Sequence, residues 1–220
     1  MGDAHTSVPK WIRKHGITYR ATGQQQAAAS WNVLVRAGQK VLGTVMAYQI
    51  EHTVVSGFLA RAQGLHEAAV AGIRADNPYA TFTLLRAYAE NAAGILYVRD
   101  HPVQLNKFWQ LESYGVPIGK ITSYAETRFD GFKGIYSELS KYAHPAALSV
   151  LASSKGVGGQ DIHWNSAPQF KSDSDAVTAC AWVVELARAT AYLLIEFADQ
   201  FGLLPKKGRS NVEETDTGEG

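Results

Sequence analysis

The sequence predicts a mainly α-helical protein, a bundle with one small loop or hairpin excursion near residues 152–171. Three observations carry this reading. Apolar residues recur at spacings of three, four or seven over long stretches, as they do along one face of a helix. No proline interrupts the chain between Pro9 and Pro78. The segments between periodic stretches are mostly short and carry Asn, Gly and Pro, which end helices. Helices with one apolar face must bury it against each other, which makes a bundle the simplest architecture.

The elements follow in order. Residues 1–22 are mixed and hold Lys10, Arg13, Lys14 and Arg20. They read as a flexible basic arm, either a solvated lead-in or a contact for a protein or nucleic-acid partner. From about Gln24 to Arg74, Leu34, Val41, Val45, Tyr48, Val55, Phe58, Leu59, Ala62, Leu65, Ala69 and Ile73 keep a helical rhythm. One unbroken helix of about 50 residues would span on the order of 75 Å. The sequence therefore predicts a break near Gly43 or at Ser56–Gly57, the alternative being one helix that projects to pair with another subunit. Asp76, Asn77 and Pro78 then punctuate the chain. Residues 81–98 form a second helix that ends before His101 and Pro102. Residues 103–128 are less regular and are interrupted at Gly115–Val116–Pro117. Residues 131–144 make a fourth helix, ended by Pro145 because a residue before proline avoids the helical region. After the excursion, Ser172 with Asp173 and Asp175 supplies an N-cap and an acidic first turn. A long helix follows from about 174 to 203, with Gly202 and Pro205 at its end. Residues 23–204 thus read as a single helical domain. Residues 205–220 lack a core pattern and read as a disordered tail.

Composition narrows the function classes. With 21 basic and 20 acidic residues, the chain has no global electrostatic footprint for nucleic acid or an anionic membrane. Cys180 is the sole cysteine, which excludes an intrachain disulfide and a cysteine-based zinc cluster. Its apolar surroundings mark an inert core thiol. The most apolar run, AVTACAWVVELARATAYLLIEF, is interrupted by Glu185 and Arg188 and reads as a buried helix, not a membrane span. The N-terminal residues lack the apolar core of a secretory signal, so a cytoplasmic location is expected.

Motifs with fixed chemistry are missing. No HExxH occurs, and no glutamate has a histidine three residues on, as a di-iron bundle requires. His66 and Glu67 are adjacent and diverge on a helix. GVPIGKI lacks the glycine spacing and hydroxyl of a phosphate loop. GVGG lacks Rossmann spacing, and no nucleophile elbow is present. No cofactor and no metal are expected.

Two constellations remain. Arg86 and Glu90 are the only charged residues between Asn77 and Val98. Four apart, they share a helix face and can pair. The pair either fixes helix register or holds a guanidinium ready for an anion such as phosphate. The second constellation is YSELSKYAHP. Tyr136, Ser140 and His144 fall at i, i+4 and i+8 along one face, with Lys141 beside them. His144 sits where the helix dipole favours a protonated ring. It is either a capping histidine, with Ser140 bonded back into its helix, or part of a site.

LRAYAE in a central helix, YSELSKYAHP some 50 residues later, a glycine-containing excursion and a long apolar C-terminal helix together resemble a group of uncharacterised bacterial and phage helical proteins. That group is similar to the HEPN superfamily of four-helix-bundle domains. The resemblance covers roughly residues 30–200. It implies a homodimer and, in many members, a ribonuclease of toxin–antitoxin or antiphage systems. It also implies a catalytic arginine separated from a following histidine by four to six intervening residues. His144 matches the histidine, whereas Ser137, Glu138 and Leu139 stand at the arginine positions. The reading that follows places Arg86, Glu90 and His144 as catalytic residues, with Arg86 supplying the guanidinium. Tyr136, Ser140 and Lys141 would complete a polar pocket for nucleotide or RNA phosphate. The alternatives are a non-enzymatic interaction or scaffold module, and a phage or plasmid accessory protein that uses its basic arm.

Overall fold

The computed structural model describes residues 8–43, 48–109, 115–143 and 167–204, together with the backbone of 154–156 and 162–164. Among these, a one-turn helix α1 (Lys10–Arg13) precedes α2 (Arg20–Ala29), α3 (Trp31–Leu42), α4 (Ile50–Arg74) and α5 (Pro78–Asp100). A 3₁₀ turn (Pro102–Gln104) leads to α6 (Asn106–Trp109), α7 (Ile118–Arg128) and α8 (Phe132–Ala143). Strands β1 (Ser154–Gly156) and β2 (Ile162–Trp164) pair antiparallel with Lys155 opposite His163, and α9 (Asp173–Gln200) closes the fold. Among the described residues the architecture is a helical bundle, as the periodicity predicts, with one small hairpin in the excursion.

Local signals set the main boundaries. Asn77 caps α5 by accepting the Ala80 N–H at 3.0 Å, and Pro78 fills the first helical position, where its missing N–H costs nothing. Ser172 caps α9 by accepting the Asp175 N–H at 3.2 Å. The corner between α4 and α5 turns through Asp76, a non-glycine residue at φ 56°. Aspartate tolerates that left-handed conformation better than most side chains.

Helices α4 and α5 lie against each other and against α9, while α2 and α3 also pack on α9. Helices α7 and α8 add a further layer on α5. This explains why Asn91 to Val98 are buried all round: α5 has no solvent face over that stretch. Tyr88, Tyr97, Phe197, Leu34, Leu85, Ile95 and Leu193 are among the largest buried side chains. Gly23 lets α2 approach α9 closely, since a Cβ there would sit 3.1 Å from Cys180 Cβ. Cys180 is buried, and burial pushes its thiol up to about 12, which keeps it protonated. By length and composition α9 is apolar enough to cross a membrane, but its apolar residues are the centre of the bundle.

Two expectations need correction. The stretch 24–74 breaks at Gly43 as expected, but it holds parts of three helices and not two. It divides after Leu42, with Gly43 as the C-cap, and also at Ser30, whose hydroxyl donates to the Ala27 carbonyl at 2.7 Å. Ser56 and Gly57 lie inside an unbroken α4. The second correction concerns the flexible basic arm. Its described part, residues 8–22, is fastened to the body. Ile12 and Ile17 are buried at 1% and 0% exposure, worth roughly 2 kcal/mol each in apolar burial. Lys14 pairs with Glu185 at 2.7 Å, and Arg20 pairs with Asp76 at 2.6 Å. Residues 1–7 and the expected tail, 205–220, lie outside the described residues.

Candidate functional site

Helix α5 presents Arg86 and Glu90 one turn apart, and α8 crosses them with Tyr136. The three side chains close a triangle. Arg86 donates to the Tyr136 hydroxyl from Nη2 at 3.0 Å and from Nε at 3.3 Å. The Tyr136 hydroxyl donates to Glu90 Oε1 at 2.7 Å, and Arg86 Nε lies 3.2 Å from the same oxygen. The guanidinium also sits 5.2 Å from the centre of the Tyr136 ring, within cation–π range. Phe132, one turn earlier on α8, stacks on that ring at 5.7 Å and 10°.

Arg86 and Glu90 each retain 21% of their side-chain exposure. The pair is therefore withdrawn from bulk water but still reachable. Burial raises the Tyr136 hydroxyl above its ordinary value, Glu90 raises it further, and Arg86 only partly offsets them. Tyr136 is consequently a hydrogen-bond donor at neutral pH and not a base. Its proton is directed at Glu90, which leaves the oxygen to accept from Arg86.

The other expected residues do not join the triangle. Ser140 Oγ donates to the Tyr136 carbonyl at 2.7 Å, back into its own helix. Lys141 pairs with Glu138 on the exposed side of α8. His144 follows Ala143, the last residue of α8, and lies outside the described residues.

Two polar clusters escaped the sequence reading. At the end of α5, Asp100 accepts from Arg99 Nε at 2.7 Å and from the Tyr124 hydroxyl at 2.8 Å, with Arg128 at 3.6 Å. His101 stacks on Tyr97 at 4.4 Å and donates from Nδ1 to the Tyr97 carbonyl. The signal was Lys120–Tyr124–Arg128, four apart along α7. The other cluster joins the N-terminal segment to α9. An arginine can only donate, so His15 Nδ1 accepts from Arg188 Nη1 at 2.9 Å and Nε2 donates to Glu185 at 2.8 Å. Burial opposes ionisation of Glu185, but hydrogen bonds from Lys14 and His15 outweigh it and hold the carboxyl below its usual value. Glu185 and Arg188 were visible in the sequence only as interruptions of an apolar run.

Among the described residues no three His, Cys, Asp or Glu side chains converge to hold a metal ion. The chain matches no protein-family model, no curated protein and no solved structure.

Proposed function

We propose that the chain is a HEPN-like helical protein that recognises the phosphate of a nucleotide or RNA and acts as a defence- or stress-related ribonuclease, as a cytoplasmic homodimer. The observation that supports this reading is the meeting of Arg86 with Tyr136. It brings a guanidinium from α5 onto the helix that leads directly into His144. In this reading Arg86 stands in for the arginine missing at 137–139 and balances charge on the phosphate. Glu90 orients Arg86, and the protonated Tyr136 fixes both. His144 exchanges the proton as general acid or base. Ser140 and Lys141 supply the rim.

The test is cleavage of a short single-stranded RNA by the full chain. Arg86→Ala and His144→Ala should each abolish cleavage. His144→Ala should leave the melting temperature unchanged, and Arg86→Ala should lower it by a few degrees, the effect of about 1 kcal/mol in a chain of this size. Full cleavage by both variants overturns the reading.

A second reading is an interaction module in which the triangle only locks α5 to α8. The local bonds of Ser140 and Lys141 favour it, because both spend their polar atoms within α8. It predicts that Arg86→Ala loses stability while no RNA-directed activity is found in either protein.

A further inference from the structure

Six lysines and arginines and no acidic residue fall between Ala4 and Ile50, whereas from Glu51 onward 15 basic residues face 19 acidic ones. The near-zero net charge therefore conceals a strongly basic N-terminal portion. Such asymmetry points to a polyanionic partner.

The structure divides the six cations by role. Lys14 and Arg20 fasten the segment to the body through Glu185, Asp76 and Asp173. Lys10, Arg13, Arg36 and Lys40 are exposed and form no ion pair among the described residues. On α1, Ile12 points into the core, which turns Lys10, Trp11 and Arg13 outward. Trp11, next to Lys10 on this turn, keeps 38% of its surface exposed. Arg188, exposed on α9, adjoins this turn through His15. Its partner is a ring nitrogen, so its charge is not cancelled there. Buried Ile12, His15 and Ile17 pin the whole arrangement, so the cations are held on a fixed surface and not on a tether.

We propose that this face docks single-stranded nucleic acid, with phosphates against Lys10, Arg13 and Arg188 and a base stacked on Trp11. An exposed indole beside cations suits a strand whose charges repeat and whose bases are free to stack. A lipid surface would call for an apolar face beside the cations, and apart from Trp11 the outward side chains of α1 are charged. The docking face is separate from the Arg86 cluster and stands whether or not that cluster is catalytic.

The test is the binding of labelled oligouridylate to the full chain over a range of salt, followed by anisotropy and tryptophan fluorescence. Affinity should fall linearly with salt on a double-logarithmic plot. The double variant Lys10→Ala/Arg13→Ala should weaken binding by about tenfold and flatten the slope by roughly 1.4, at about 0.7 for each lost phosphate contact. Trp11→Phe should remove the fluorescence quenching. The control pair Lys107→Ala/Lys171→Ala should bind as wild type does, which separates this surface from a general effect of removing exposed charge. Wild-type affinity in the Lys10/Arg13 variant overturns the proposal, as does binding of phosphatidylserine vesicles in place of the oligonucleotide.

Discussion

The Arg86–Glu90–Tyr136 triangle and the buried His66–Tyr88–Asn91–Thr190 group share helix α5, yet their polar atoms meet opposite fates. In the triangle, at the α8 side, one hydroxyl and one carboxylate oxygen link all three side chains. In the core, neither nitrogen of His66 nor Tyr88 Oη, Asn91 Oδ1 or Thr190 Oγ1 makes a well-formed hydrogen bond among the described residues, although the Ala27 carbonyl neighbours His66 and the Thr190 hydroxyl neighbours Tyr88. The bond from Asn91 Nδ2 to the Phe58 carbonyl at 3.1 Å satisfies only the donor side of that amide. His66 is instead held by rings, Trp31 at 5.9 Å and the edge of Tyr88 at 6.2 Å. The contrast teaches where this fold tolerates charge. At a partly exposed edge an ion pair survives because a phenol bridges it. In the centre polar groups remain only in their neutral forms, and each unsatisfied atom weakens the fold.

The largest expected effect is the pH response of the core. Burial lowers His66 from 6.5 to about 4, with the Ala27 carbonyl opposing weakly. Below pH 6.5 the unfolded chain takes up a proton that the folded chain refuses. Stability contributed by neutral His66 is therefore complete above pH 6.5 and is lost as pH falls towards 4. The loss amounts to about 3 kcal/mol. Denaturant midpoints between pH 7 and 4 should fall steeply for wild type and more shallowly for His66→Leu. Equal slopes would remove His66 as the cause.

Next is Tyr136→Phe, which deletes the bridge and leaves Glu90 with Arg86 alone. Hydrogen bonds to charged groups are worth about 1.5–3 kcal/mol when buried. Partial exposure reduces this to about 1 kcal/mol, read as a lower urea midpoint. The smallest effect is Tyr88→Phe. It removes a buried hydroxyl whose neighbour, the Thr190 hydroxyl, is not aligned for a full hydrogen bond, so it should leave stability unchanged or raise it by up to about 1 kcal/mol. If Tyr88→Phe destabilises more than Tyr136→Phe, the contrast between the two regions is reversed.

Much of the fold was legible because its signals are local. Asn77–Pro78 and Ser172 announce α5 and α9, and the four-residue spacing of Arg86 and Glu90 announces their pair. The docking of the N-terminal segment was not legible. Ile12 and Ile17 are five residues apart and show no helical period, and the α9 residues that hold His15 between them, Glu185 and Arg188, lie some 170 positions away. Ser30 was missed because its effect depends on a hydroxyl turning back to Ala27. At the site, spacing placed Tyr136 and Ser140 on one ridge and offered a bond from Ser140 back into its own helix as one alternative, but could not tell that Tyr136 would reach across to α5.

The most direct test of the phosphate-site account is an experimental structure of the chain with a non-cleavable dinucleotide. The account predicts the bridging phosphate within hydrogen-bond reach, about 3 Å, of both Arg86 and His144. It is contradicted if Arg86 and His144 stand more than about 12 Å apart both within a subunit and across any dimer, since two groups so separated cannot serve one reacting phosphate.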